Sequence, residues 1–198
     1  MSRDMTLSQA VTGTDGFVRK LLMVIGGSAF IAIAAQISVP MLPVPMTLQT
    51  LAILMVGFAF GSRLGAMTLL AYLAEGAMGL PVFANGMNGA AFAGPTAGFL
   101  LGFVGMAYLA GLAAERGIAR GMIGTGASAL VISALLYVPG VIWPAALAGG
   151  LGMEAGWVAQ SSGFYWTWFV APFLIGDAVK AVIAALVVTG AWKALSAR

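Results

Sequence analysis

Long uninterrupted apolar runs limit what this chain can fold into more than any other feature. Six of them fall at about residues 21–39, 47–61, 64–80, 96–114, 121–142 and 165–192. Roughly 17–25 helical residues cross the ~30 Å hydrocarbon layer of a bilayer. Five runs reach that length, and the second, with 15 residues, is short. Strands of a membrane barrel would alternate apolar and polar residues over about 10 positions, and these runs do not. Lipid offers no partner to a free N–H or C=O, so the backbone must bond within each segment and the runs are helices. At 198 residues and 61% hydrophobic, no soluble domain could hide this much apolar surface. The expected fold is therefore an all-α integral membrane protein with six transmembrane helices in one domain, residues 1–198. Residues 1–20 read as a polar cytoplasmic leader. A mostly polar stretch ahead of a first run of spanning length is not the pattern of a cleavable signal.

The few charges orient the bundle. Threading six spans puts Arg3, Arg19, Lys20, Arg63, Arg116, Arg120, Lys193 and Arg198 on one side and no Lys or Arg on the other. By the positive-inside rule both termini are cytoplasmic. Four of the five tryptophans, at 143, 157, 166 and 168, fall at the opposite side with Tyr165, while Trp192 marks the inner boundary. They read as an interfacial aromatic belt or, alternatively, as a stretch, Trp143–Trp168, that contributes part of a lid over a site; residues 143–164 read as an extramembrane segment.

One basic residue, Lys180, lies inside a span, three residues after Asp177 in a chain that is only 8% charged. At that spacing both side chains share one helix face. The plain reading is a self-neutralising salt bridge. Two buried charges are costly even when paired, however, so a ligand explains them better. A carboxylate beside an ammonium offers acceptors and donors together, which suits an amide, a urea or a zwitterion. With Pro172 in the first turn of its helix, Asp177 lies roughly 8 Å further in and Lys180 one turn deeper. Gln36, Gln49, Glu75, Asn85, Asn88 and Thr96 converge on the same outer half, and the inner half is nearly featureless. A channel would carry polar groups along the whole crossing, so the distribution predicts a pocket open to the outside. The candidate substrate-binding residues are Asp177, Lys180, Asn85, Asn88, Gln49, Glu75 and Trp166. Glu75 also reads as a snorkelling charge, and Gln36 and Gln49 also read as interhelical hydrogen-bonding groups.

Glycines spaced by four (Gly57, Gly61, Gly65 and Gly94, Gly98, Gly102) predict close helix packing. Ser28-x-x-x-Ala32 on the first span is another small-residue face, and Ser28 and Ala32 are candidates for docking a partner. Residues 124–129 fit the letter of G-x-G-x-x-A but follow no strand, so no nucleotide site is expected there. The chain has no cysteine and no histidine. That removes disulfides, Cys/His metal sites and histidine catalysis, and neither an enzyme activity, a metal nor a cofactor is expected. No basic run suggests nucleic acid. Without a G-x-x-x-x-G-K-[ST] motif the chain is not itself a P-loop ATPase. An importer built on it draws energy from an ion gradient or from another subunit. A stand-alone ion-coupled carrier of a small organic solute, with Asp177 and Lys180 as a proton relay, is the alternative.

Several motifs occur together and in order: Gln36-Ile37-Ser38-Val39-Pro40, Pro43-Val44-Pro45-Met46-Thr47-Leu48-Gln49-Thr50, Gly79-Leu80-Pro81-Val82-Phe83-Ala84, Gly94-Pro95-Thr96-Ala97-Gly98-Phe99-Leu100-Leu101-Gly102-Phe103 and Gly176-Asp177-x-x-Lys180. The set resembles the BioY family, the biotin-specific S-components of energy-coupling factor (ECF) importers. It departs from that pattern at Phe99, where the family's usual Gly-Pro-Thr-Gly-Gly-Tyr ends in tyrosine, and at Asn85 and Asn88, where glycines are common. The resemblance implies a six-helix S-component in a bacterial or archaeal cell membrane that captures biotin from outside as a ligand. It also implies docking onto a transmembrane coupling protein with two ATP-binding-cassette ATPases, and binding of biotin by Asp177 and Lys180.

Overall fold

The computed structural model describes residues 6–7 and 16–196. Six principal helices follow one another: α1 Phe17–Gln36, α2 Gln49–Phe60, α3 Ser62–Ala77, α4 Ala97–Glu115, α5 Met122–Ile142 and α6 Leu174–Ser196. Among the described residues four helical stretches are long and apolar enough to cross a bilayer: α1, α4, α5 with its continuation to Gly150, and the stretch Ser162–Leu195 that includes most of α6. The other two are shorter than an upright crossing. α2 has 12 residues and α3 has 16, about 18 and 24 Å at 1.5 Å per residue.

The expected boundaries shift for identifiable reasons. Prolines 40, 43 and 45 exclude helix from the turn after α1. The flanking residues instead pair as a small antiparallel hairpin, β1 Ser38–Val39 with β2 Met46–Thr47, in the register Ser38 to Thr47 and Val39 to Met46. These are the only strands among the described residues, and no strand was expected. The segment 143–164, read as wholly extramembrane, is helical at both ends. A wide turn at Trp143–Leu147 and a last turn at Ala148–Gly150 prolong α5, and helix resumes at Ser162. Pro144 lies inside this continuous helix, and the wide turn falls where its ring removes a backbone N–H donor. Pro172 likewise lies in a tight turn, Ala171–Phe173, just ahead of α6 rather than within it.

α4 is the central helix. It is the most buried of the four long stretches, and it packs on α2, α3 and α5. Glycine makes these approaches possible. A Cβ on Gly57 would stand 2.6 Å from the Ala107 carbonyl oxygen, and one on Gly98 would stand 2.1 Å from that of Pro139. Gly57, Gly65, Gly98 and Gly102 thus serve packing between helices, whereas Gly61 forms a turn and Gly94 lies in the loop before α4. The outer faces carry large apolar side chains such as Phe17, Ile33, Ile123, Val131, Ile175 and Leu186. Such a surface is stable against lipid and not against water.

The bundle has two unlike ends. At one, α2 turns into α3 through Gly61 alone, at φ +87, a conformation that favours glycine. The Glu115 carboxylate from the last turn of α4 accepts hydrogen bonds from the Ser62 backbone N–H (2.7 Å) and hydroxyl, so it caps α3. Thr6 and Leu7 are buried, with the Thr6 methyl beside Gly61. The Arg120 guanidinium lies 4.5 Å from the Trp192 ring centre. The basic residues Arg63, Arg116, Arg120 and Lys193 belong to this end, while Arg3 and Arg198 of the expected basic side lie outside the described residues. The other end gathers the hairpin, the loop 78–96 and the 143–161 connection.

Ser28 turns out to face inward. It is fully buried and donates its hydroxyl hydrogen bond to Glu75 on α3, and Ala32 is half-buried. The Ser28 face therefore belongs to the α1–α3 contact, not to a docking surface. The exposed side of α1 carries Phe17, Val18, Leu22, Ile25 and Ile33 instead.

Candidate functional site

A cavity of about 210 Å³ opens at the hairpin end. It is walled by the hairpin, the loop after α3 and the facing sides of α2, α4, α5 and α6. Of its lining residues Asn85 and Met87 are exposed and mark the mouth, while Pro43, Pro45 and Pro95 are half-buried. Its walls carry the rings of Phe83, Phe99, Phe103 and Phe173, and its polar lining is Thr47, Gln49, Thr50, Thr96, Tyr137, Asp177 and Lys180.

The charged pair is the chemical centre. Asp177 sits in the first turn of α6, where the helix dipole favours a carboxylate. It is 9% exposed, and Lys180 is 6% exposed. The Lys180 ammonium lies 3.6 Å from Asp177 Oδ1. It donates to Thr50 Oγ1 at 2.9 Å, and the Tyr137 hydroxyl donates to Asp177 Oδ2. Three helices thus meet at two charges, and each charge has a neutral hydroxyl partner as well as the other charge. That satisfies much of the hydrogen-bonding demand which makes buried ions costly.

A second polar chain stiffens the wall. Gln49 Nε2 donates to Tyr72 Oη at 2.7 Å, and the fully buried Tyr72 donates to the Val82 carbonyl at 2.8 Å. Val82 is followed by Phe83, whose ring packs edge-on against Tyr72 at 5.3 Å and fills the notch left by Gly76. The loop is held from α1 as well. Gln36 Nε2 donates to the Phe83 carbonyl, and Gln36 Oε1 accepts from the Gly86 N–H, both at 3.0 Å. Ser38 donates to Asn85 Oδ1 at 2.9 Å, and Asn85 itself adopts φ 58, a left-handed conformation asparagine tolerates.

Of the seven residues expected to bind substrate, the cavity wall contains Asp177, Lys180, Gln49 and Asn85. It does not contain the other three. Glu75 points toward α1 and accepts from Ser28. Asn88 uses its carboxamide to cap the turn Gly89–Ala93, accepting from the Ala90 N–H at 3.2 Å, the common fate of an asparagine at that position. Trp166 is 58% exposed on the outer surface. Of the tryptophans considered for a lid, Trp143 donates to the Gly94 carbonyl at 3.0 Å, bracing the loop beside the mouth, while Trp168 is exposed like Trp166.

Two residues at the charged pair were not singled out from the sequence. Thr50 lies in a motif already noted, one residue from Gln49. Tyr137 sits alone in an apolar run, and nothing local marks it. The one available signal was its hydroxyl, two residues before Pro139 in the half of that run nearest the polar cluster. Among the described residues no three His, Cys, Asp or Glu side chains gather as they would for a metal ion.

The sequence profile of the BioY family matches residues 3–197. The chain is similar to a protein of Rhizobium etli named biotin transporter BioY, with 37% identity over 158 residues covering 76% of this chain and 79% of that one. It is 38% identical to the biotin transporter BioY of Rhodobacter capsulatus, over 75% of this chain and 81% of the relative. It is 33% identical to a probable biotin transporter BioY of Pyrococcus horikoshii, over 80% and 87%. Among solved structures it is similar to the S-component for biotin from an ECF-type ABC transporter, with a TM-score of 0.62, 26% identity and coverage of 89% of this chain and 92% of that one. With a family match over nearly its whole length, relatives above 30% identity and the same fold in a solved structure, this membrane protein belongs to the BioY family.

Proposed function

We propose that this chain is the substrate-capture subunit of a biotin importer, and that biotin occupies the cavity closed at its deep end by Asp177 and Lys180. The observation that carries this reading is the pairing of a buried acceptor and a buried donor in a cavity whose remaining lining is mostly apolar and aromatic, with a few neutral hydroxyl and carboxamide groups. Biotin's ureido group has two N–H donors and one carbonyl acceptor. Asp177 accepts from an N–H, and Lys180 donates to the carbonyl. The thiophane ring and acyl chain contact Phe83, Phe99, Phe103 and Phe173, and the carboxylate lies toward Asn85 at the mouth. The names of the relatives support the same ligand.

In this reading Lys193, Arg63, Arg116 and both termini face the cytoplasm, the cavity opens outward, and the protein lies in the cell membrane of a bacterium or archaeon. Release of biotin inward is driven by a transmembrane coupling protein carrying two ABC-type ATPases. The chain performs no reaction on its ligand.

Binding of radiolabelled biotin to the purified protein tests the assignment. Asp177→Asn and Lys180→Ala should each lose most of the affinity, and full affinity in both variants would remove the pair from the site. Single cysteines introduced at Asn85 or Gln160 should react with an impermeant reagent from outside intact cells, and one at Arg116 should not. Co-purification of ATPase subunits with the tagged protein tests the importer assembly. Vesicles containing this chain alone should bind biotin without accumulating it along a pH gradient.

A further inference from the structure

Asp177 and Lys180 do not form a closed ion pair. Their nearest atoms are 3.6 Å apart, whereas a charge-assisted N–H···O bond settles at about 2.7–2.9 Å. At i, i+3 on one helix the two side chains could close that gap by small rotations. Each is held from outside its own helix instead. Tyr137 on α5 donates its hydroxyl hydrogen to Asp177 Oδ2. Thr50 on α2 accepts from the Lys180 ammonium at 2.9 Å. The two partners are themselves fixed. The Tyr137 ring stands edge-on to Phe99, with centroids 6.4 Å apart and planes at 90°, and Thr50 lies in the first turn of α2 beside Gln49, which is tied to Tyr72.

We infer that Tyr137 and Thr50 are positioning residues that hold the Asp177–Lys180 pair open, keeping one carboxylate oxygen and the remaining ammonium hydrogens free for the ligand. An ammonium has three donors and a carboxylate about four acceptor sites. With Tyr137 on Oδ2, Oδ1 is the oxygen left to meet a ligand N–H. With Thr50 taking one ammonium hydrogen, two remain, and a ligand carbonyl can accept from them. A closed pair would have to be broken before a cyclic urea could insert, and that cost would be subtracted from the affinity. Held open, the pair is arranged in advance as a donor beside an acceptor. The inference rests on the functional reading above, in which the urea end of biotin reaches this pair.

The test uses Tyr137→Phe and Thr50→Val, which keep ring and branch while removing the hydroxyl, with Thr50→Ser as the control that keeps it. Biotin affinity, apo melting temperature in detergent and the apo structure of each are measured. Tyr137→Phe and Thr50→Val should each bind biotin about tenfold more weakly, the worth of one charge-assisted hydrogen bond. In both, Lys180 and Asp177 should close to direct hydrogen-bond distance and the melting temperature should stay at or above that of the wild type. Thr50→Ser should match the wild type in all three. A residue serving only the fold would lose melting temperature together with affinity and leave the pair separation unchanged. Wild-type affinity in both variants, or a pair that stays open without its hydroxyl partners, overturns the inference. If one variant does not fold, the other carries the test. A wild-type protein that fails to bind biotin would refute the functional reading, and the separation in the apo variants would still decide whether the two hydroxyls hold the pair apart.

Discussion

Removing one member of the charged pair should destabilise the empty protein, and removing both should not. Asp177 and Lys180 are 9% and 6% exposed, with 3.6 Å between their nearest atoms. At an effective dielectric of about 20 their attraction is ~4.6 kcal/mol, before desolvation is subtracted. In Asp177→Ala the ammonium keeps only Thr50 and the Tyr137 hydroxyl loses its acceptor. In Lys180→Ala the carboxylate keeps only Tyr137. Leaving a buried charge unpaired costs about 3–5 kcal/mol, whereas replacing a whole pair with apolar groups of similar size is neutral or stabilising. Each single variant should therefore lose about 3 kcal/mol of apo stability, and Asp177→Leu/Lys180→Met should stay within ~1 kcal/mol of the wild type. The assay is unfolding of the ligand-free protein in detergent micelles, where ~3 kcal/mol corresponds to a drop of about 6–12 °C in melting temperature for a chain of this length. The double variant should be as stable as the wild type and should bind no biotin. This separates the cost of the pair from its use. A double variant as unstable as the sum of the singles, or single variants as stable as the wild type, would refute the premise that the pair is poorly solvated.

Three further expectations concern residues behind or outside the cavity wall. Gly140→Ala places a Cβ 2.4 Å from the Phe99 ring, so it should push that ring into the cavity and weaken biotin binding about tenfold, the lower end of overpacking costs of ~1–3 kcal/mol, as titration of the purified variant would report. Tyr72→Phe removes the acceptor of Gln49 and the donor to Val82 and should cost about 1–3 kcal/mol of stability in the same unfolding assay, because both partners are left unsatisfied in a buried site. Trp166→Ala and Glu75→Gln alter residues outside the cavity wall and should leave biotin affinity unchanged. A loss in either would return that residue to the site.

The sequence by itself determined the class of fold, because a run of apolar residues long enough to cross a membrane has few ways to satisfy its backbone there. It also located the charged pair, since two ionisable groups in such a run stand out against their surroundings. Gln49 and Asn85 were legible as polar side chains gathered at the same end of the threaded spans. The sequence could not decide which polar groups meet. Glu75 and Gln49 both sit near the polar end of a helix, yet one faces α1 and the other the cavity, and that depends on how α2 and α3 are rotated in the bundle. Asn88 and Trp166 were drawn away by local needs, a turn to cap and an interface to face. The hairpin at 38–47 and the helical extension past Ile142 depend on pairing and packing that a local reading does not contain. Tyr137 is the plainest case. Forty positions separate it from Asp177 in the chain, and only the packing of α5 beside α6 brings its hydroxyl to the carboxylate. Local sequence fixes what a side chain can do, and tertiary packing fixes what it has within reach to do it with.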